Sequence, residues 1–421
     1  MNIELLTVGT ELLLGFTVDT NSAEIARRAS GIGVRVVRRV SVGDSDAEIG
    51  VAVLEALERT GAVLTTGGLG PTSDDVTKTS VAAALELPLR FADHVWDDLL
   101  ERYQGLGRTP SPSNRTQAMV PEGAEILRNK WGTAPGLWIE TPRGLVIMLP
   151  GVPREMRMLL DHEVLPRLAS RAGGRVVRSR MVRTTAIPES TLADRLGDIE
   201  QSVAPAMIAY LPGVDGVDLR LTVWGLTATE ADVQLQRAVA ECARRAGEHV
   251  YATDESSLAQ RLVASLREAG RRVAVAESCT GGLLGGRITE VPGSSEVFEG
   301  GVIAYANGVK QRELDVDPEV LVADGAVSER VACAMAEGAR RRFGTDYGIG
   351  VTGIAGPGGG TSAKPVGLVW FGVAGPDGTT SHRSIFPGSR EEIRARAAQT
   401  GLYLLFRRLP TAGAAAMESL V

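Results

Sequence analysis

Residues 2–66 alternate between runs that suit a strand and runs that suit a helix, and this alternation restricts the fold more than any other feature of the chain. Asn2–Val8 is apolar and ends in Gly9-Thr10-Glu11. Residues 22–30 read as a short helix closed by Gly31, and 34–42 as a second strand running into Gly43-Asp44. A helix over 47–59, with Ile49, Val53, Leu54 and Leu57 on one face, leads to a third strand over 62–66. Strand and helix repeating at this spacing predict an α/β fold with a mostly parallel sheet. Such sheets bind ligands at the carboxyl ends of their strands. The glycines and acids collect there: Gly9, Thr10, Glu11, Asn21, Asp44, and above all Thr66-Gly67-Gly68-Leu69-Gly70-Pro71-Thr72-Ser73-Asp74-Asp75.

That run joins glycines that let backbone approach an anion, hydroxyls that bond phosphate oxygens, and adjacent carboxylates able to hold a divalent cation such as Mg. The plainer reading is an Asp-capped helix start, with Asp74 or Asp75 complementing the dipole. Asn129-Lys130-Trp131-Gly132-Thr133-Ala134-Pro135-Gly136 forms a second punctuated loop before a hairpin over 137–149. Pro150-Gly151-Val152-Pro153-Arg154-Glu155-Met156 then starts a helix and places Glu155 at its beginning. These three motifs, in this order, resemble the amino-terminal domain of the CinA family, which is similar to the molybdopterin-binding fold of MogA and MoaB. The resemblance implies a nucleotide-binding domain over 1–170, associated with metal-dependent hydrolysis of ADP-ribose. It carries nucleotide contacts to Gly9, Thr10, Glu11, Asn21, Asp44, Gly67, Gly68, Gly70, Thr72, Asn129, Pro150 and Gly151, and a divalent metal to Asp74, Asp75 and Glu155. The residues alone do not choose ADP-ribose over a pterin.

At 421 residues the chain is long enough for two or three domains. Aromatic residues are only 4%, so the cores should be aliphatic. No apolar run approaches the roughly 18 residues of a membrane span, which leads to a cytoplasmic expectation. Cys242, Cys279 and Cys333 lack the spacing of a disulfide framework or zinc site. A net charge of −6 argues against a nucleic-acid surface as the main business. The basic residues say more: of 45, only Lys78, Lys130, Lys310 and Lys364 are lysines. Arg keeps its proton near neutral pH whereas a desolvated Lys can lose it, so each lysine is a candidate for work that Arg cannot do. Chance retention on the surface is the competing account.

Residues 168–174 read as a polar linker, and 175–250 as a small α+β module in which Val217, Leu219, Leu221 and Val223 alternate with Asp218, Arg220 and Thr222. Nothing in it looks chemical, and a connector or homodimerisation role is expected.

A third domain is expected over 256–414. Its organising stretch is Ala276-Glu277-Ser278-Cys279-Thr280-Gly281-Gly282, a strand that bends at a serine and passes through two glycines into a helical pattern. Such a bend leaves a hydroxyl beside unpaired backbone N–H groups. A capped strand-to-helix turn explains the motif equally well taken alone. Tyr305-Ala306-Asn307-Gly308-Val309-Lys310 follows a strand over 302–305, and a loop over 352–360 carries Thr352, Gly353, Gly356 and Gly358. Lys364-Pro365-Val366-Gly367 begins a further strand, and a helix from Arg390 closes the domain. His94, His162, His249 and His382 lie outside these motifs, so a Ser278 nucleophile must find another base. A buried Lys310, its proton loosened by desolvation and by Arg390, fits that role, with Tyr305 as relay or positioner. Amides around 280–282 are then candidates for holding an oxyanion. Cys279 is the internal rival, being the better intrinsic nucleophile.

These motifs resemble the CinA carboxyl-terminal domain, the nicotinamide-nucleotide amidohydrolase family, which converts nicotinamide mononucleotide to nicotinate mononucleotide and ammonia. By that resemblance Ser278 is the nucleophile, Lys310 its base and Tyr305 an auxiliary, with no cofactor. Substrate contacts fall to Cys279, Thr280, Gly281, Gly282, Asn307, Thr352, Gly353, Gly356, Gly358, Lys364 and Arg390. One departure is Ser389, where the family pattern carries an acid before the arginine. The combined expectation is a bifunctional enzyme of pyridine-nucleotide salvage. The alternative is a competence or DNA-damage-associated binding protein whose first domain binds a nucleotide or pterin without turnover.

Overall fold

The computed structural model describes residues 1–409. The expected end of the third domain, at residue 414, lies outside them. The chain divides into two compact units, Met1–Arg178 with Val223–Val233, and Ser179–Thr222 with the residues from Gln234 onward.

In the first unit a six-stranded sheet runs, edge to edge, Arg35–Val42, Asn2–Val8, Ala62–Thr66, Gly144–Leu149, Gly136–Thr141 and Glu125–Leu127. The first four strands are parallel, Gly136–Thr141 joins them antiparallel, and Glu125–Leu127 pairs antiparallel with Gly136–Thr141 in turn. All five residues of Ala62–Thr66 are buried because both faces of this central strand are covered. One face packs Ile3, Leu5, Leu64 and Ile147 against Ile25, Met156 and Leu159; the other packs Leu6, Val63 and Val146 against Ile49 and Val53. Helix Thr20–Gly31 starts where the Asp19 carboxylate accepts the Ser22 amide, and Asp46–Thr60 ends at the left-handed Gly61.

Two expectations change. Most of the supposed linker over 168–174 is helix, Leu165–Arg171, because Leu168 is buried while its polar neighbours face water; only the turn at Gly173 and Gly174 remains. Between the parallel strands lie elements the pattern did not announce, a helix Asp93–Gly105 and a 3₁₀ segment Pro112–Ala118. The helix buries only Val95 and Leu99, too narrow a stripe to read from spacing.

A four-stranded sheet ordered Met207–Pro212, Val217–Thr227, Arg175–Thr184, Val250–Ala252 forms the middle of the chain. Val217, Leu219, Leu221 and Val223 are buried as the alternation requires. The edge strand Met207–Pro212, mostly exposed, carried no such alternation.

The last domain is a five-stranded sheet ordered Phe298–Ile303, Val273–Glu277, Tyr347–Gly353, Leu368–Gly375, Gly378–Ile385, with the first three parallel. Helix Glu329–Phe343 lies so close to it that a Cβ on Gly350 or Gly372 would stand 2.2 or 2.4 Å from the Ala332 carbonyl oxygen. Ser257, Ser328 and Ser389 cap the helices that follow them, Ser257 and Ser389 in capping boxes with Gln260 and Glu392. The carboxyl ends of the three parallel strands deliver Ser278, Tyr305 and Thr352 to one edge of the sheet.

Candidate functional site

Ser278 is the first residue beyond the strand Val273–Glu277, and its amide still donates to the Val351 carbonyl at 2.9 Å, so the sheet ladder fixes its backbone. The strand Phe298–Ile303 ends sooner than expected, and Lys310 sits on a helix, Asn307–Leu314, that the sequence reading did not assign. That helix turns Lys310 inward. Its amine is within 3.2 Å of the Ser278 hydroxyl oxygen, 2.7 Å of the Ala304 carbonyl and 3.2 Å of the Tyr305 carbonyl. Only 1% of Lys310 is exposed, and burial lowers its pKa; the Cys279 thiol pushes it weakly the other way. Arg390 plays no part in that shift. A neutral amine has two protons and one lone pair. With the protons on the two carbonyls, the lone pair is left for the serine hydroxyl.

Around this pair lies a cavity of about 220 Å³, lined by Ser278, Tyr305, Lys310, Thr352, Gly353 and Arg390, with Ala326, Val327 and Ala355 as apolar wall. Cys279 also borders it, yet is 6% exposed, and burial pushes its thiol up to about 12. It stays protonated near neutral pH, which removes it as the rival nucleophile. Tyr305 is exposed. Its backbone carbonyl serves Lys310, while its hydroxyl accepts from Arg390 Nη2 at 3.2 Å. Arg390 Nη1 donates to the Gly356 carbonyl at 2.7 Å, so the guanidinium stands at the cavity edge even though Ser389 replaces the expected acid.

Other predicted positions stand elsewhere. Lys364 donates to the Asp324 carbonyl at 2.6 Å, which makes it a tie between loops, while Thr352 lines the cavity but turns its hydroxyl to the Ala326 carbonyl. Asn307 and Gly358 are exposed and do not line the cavity. The expected oxyanion donors also shift. The Gly281 amide donates to Ser278 O, and the Gly282 amide to the Glu277 carboxylate at 2.9 Å. The Cys279 and Thr280 amides donate to no backbone carbonyl among the described residues. Sequence reasoning overlooked Glu277 and Arg394, whose guanidinium donates twice to Thr280 O, at 2.8 and 3.3 Å.

In the first unit a cavity of about 130 Å³ opens at the carboxyl ends of the strands Asn2–Val8 and Ala62–Thr66, lined by Glu11, Asp19, Asn21, Thr66, Gly67 and Gly151. Asn21 Nδ2 donates to Thr66 Oγ1 at 3.3 Å and to the Gly151 carbonyl at 2.8 Å, while its Oδ1 is enclosed without a partner. Thr66 Oγ1 in turn donates to Pro150 O. The left-handed Gly67 and Gly68 are required by contact: a Cβ there would lie 2.2 Å from Val8 O and 2.1 Å from Thr77 Oγ1.

The remaining predicted residues make local structure outside the cavity. Asp44 accepts from the Thr10 amide and hydroxyl beyond Gly9, and Asp75 accepts from the Thr72 amide against Gly70. Asn129 donates to Glu155 Oε2 at 2.6 Å, and the exposed Asp74 is hydrogen-bonded to Thr72, as Asp75 is. Asp74, Asp75 and Glu155 are therefore not gathered, and no three His, Cys, Asp or Glu among the described residues are placed to hold a metal. These side chains do not fit a resident divalent ion. No helix among the described residues is long and apolar enough to cross a membrane.

Three stretches match known families. Residues 4–170 match a "Probable molybdopterin binding domain", 179–252 the damage-inducible protein CinA KH domain, and 255–409 the CinA C-terminal domain. The chain is 52% identical to a CinA-like protein of Gemmatimonas aurantiaca over 97% of this chain and 96% of that protein. It is 47% identical to a CinA-like protein of Parasynechococcus marenigrum over 87% of this chain and 88% of that protein. A solved structure of competence/damage inducible protein CihA from Agrobacterium tumefaciens is 41% identical, covering 36% of this chain and 92% of that one, with a TM-score of 0.35. The chain belongs to the CinA family, with an amino-terminal domain of the MogA and MoaB kind, a KH-type middle domain and a CinA carboxyl-terminal domain.

Proposed function

We propose that the carboxyl-terminal domain is an amidase that converts nicotinamide mononucleotide to nicotinate mononucleotide and ammonia. The observation that carries this reading is the buried Lys310 amine 3.2 Å from the Ser278 hydroxyl. In the proposed sequence Ser278 Oγ attacks the carboxamide carbon while Lys310 takes its proton. The oxyanion of the tetrahedral adduct falls to the Cys279 and Thr280 amides. Lys310 returns the proton to the departing nitrogen, ammonia leaves, and Ser278 carries the acyl group. Lys310 then draws a proton from water as its oxygen attacks the ester, and hands that proton to the departing Ser278 Oγ; the acid released ionises to the carboxylate and its proton goes to ammonia. Arg390, with two backbone or hydroxyl partners and its charge at the cavity edge, is assigned to the substrate phosphate.

The amino-terminal cavity is assigned to a second nucleotide, ADP-ribose in the fuller reading. The unpartnered Asn21 Oδ1 is its specific support, since an enclosed acceptor calls for a donor such as a ribose hydroxyl or an amino group. Because the acids there do not fit a resident ion, no hydrolytic step is derived, and binding without turnover is the reading favoured for this cavity. The test is an assay of the purified protein on nicotinamide mononucleotide and on ADP-ribose, with and without divalent cation. Ser278→Ala should cut ammonia release by about 10³-fold or more and leave any ADP-ribose chemistry intact. Loss of both together, or of neither, would sink the two-site reading.

A further inference from the structure

Glu277 is a carboxylate that the proposed chemistry does not use. It is 2% exposed and makes no ion pair among the described residues, an arrangement that is costly unless the charge is met by hydrogen bonds. Three backbone amides meet it: Gly282 at 2.9 Å and Leu284 at 3.1 Å on Oε2, and Gly285 at 2.8 Å on Oε1. To bring them there the chain turns back through the left-handed Gly281 and Gly282, with φ of 61° and 94°. The same turn is held at two further points, by the Ser278 amide on Val351 O and by Arg394 on Thr280 O. The backbone between is left with the Cys279 and Thr280 amides uncommitted to any carbonyl.

We infer that Glu277 is a positioning residue for the Ser278 site: its carboxylate clamps the amides of Gly282, Leu284 and Gly285 and so fixes the turn that carries the Ser278 hydroxyl at the cavity wall. The inference rests on the amidase reading only for the identity of the substrate. It also occupies the start of helix Leu283–Thr289 with the protein's own anion, which leaves the Arg390 side as the place for a substrate phosphate.

Glu277→Gln keeps the shape but turns one acceptor into an amide nitrogen facing N–H groups. Two rates are to be measured in the full chain: ammonia release from nicotinamide mononucleotide, and labelling of Ser278 by a fluorophosphonate. In the labelling reaction an Oγ–P bond forms, fluoride leaves and Lys310 takes the proton. For Glu277→Gln we expect kcat and the labelling rate to fall about 10- to 100-fold, with KM within about twofold, because a displaced reacting group costs rate rather than binding. Unchanged labelling, or equal changes in kcat and KM with a collapsed melting transition, overturns the assignment. If the Gln variant does not fold, Glu277→Asp, which keeps the charge but is one methylene short, is read the same way. A wild-type protein that labels, slows on Glu277→Gln, yet releases no ammonia refutes the substrate and leaves Glu277 in its role.

Discussion

Lys78, on the helix Thr77–Ala84, and Lys310, on the helix Asn307–Leu314, are 6% and 1% exposed. Each amine donates to the carbonyls of two consecutive residues, Thr116 and Gln117 in one case and Ala304 and Tyr305 in the other. Burial lowers both pKa values, that of Lys78 to about 8 against the opposing charge of Asp75. The two sites part at the third position of the amine. Lys310 meets the Ser278 hydroxyl at the wall of a cavity, whereas Lys78 meets no hydroxyl among the described residues and ties its helix to the segment Pro112–Ala118. A desolvated amine is therefore not chemistry by itself. It becomes a base only where a proton donor and room for a substrate coincide.

The strongest attempt to break this contrast is a pair of charge-keeping substitutions. Lys310→Arg should lower ammonia release about 10³-fold, because a guanidinium does not give up its proton. Lys78→Arg should leave kcat within about twofold and lower the melting temperature. Equal losses of kcat would end the distinction.

pH separates the same residues. In its proposed role Lys310 is a base only when neutral, so kcat should rise with pH through a midpoint below 10.5, the ordinary lysine value, in the wild type and in Lys78→Met alike. For Lys78 the effect is on stability. Its amine stays protonated up to 10.5 in the unfolded chain but only to about 8 in the folded one, so folding releases a proton in that window. Stability should rise from pH 8 to 10.5 by about 3 kcal/mol from this residue, and urea unfolding of Lys78→Met should lack that increment. A rise of the same size in the Met variant would place it elsewhere.

The smallest expected effect is at the neighbour of the nucleophile. Cys279→Ala should change kcat by less than about threefold, since a thiol held near 12 contributes no thiolate. A hundredfold loss would reopen the choice between Cys279 and Ser278.

Much of this was legible in one dimension. The apolar runs Asn2–Val8 and Ala62–Thr66 and the helical stripe of Ile49, Val53 and Leu57 announced the parallel sheet, because the periods of strand and helix are local properties. The scarcity of lysine singled out Lys310 before any contact was known. Less visible was the helix that carries it, since Asn307–Leu314 buries only Lys310 and Leu314 and so has no apolar stripe. The KH-type middle domain read only as a small α+β module. The amino-terminal acids do not share one setting: Asp75 accepts from Thr72 within its own turn, while Glu155 Oε2 accepts from Asn129, 26 positions away, a contact that spacing does not announce.

Residue order alone specified the strongly periodic elements, the glycine bends and the identity of the serine and the amine, because each follows from interactions between near neighbours. Tertiary packing decided which of those residues meet. Arg394 reaches Thr280 across 114 positions and Lys310 reaches Ser278 across 32, and such distances close only when a shared core brings separate strands and helices together. The lowered pKa of Lys310 belongs to that core as well, since desolvation is a property of the surroundings and not of the lysine.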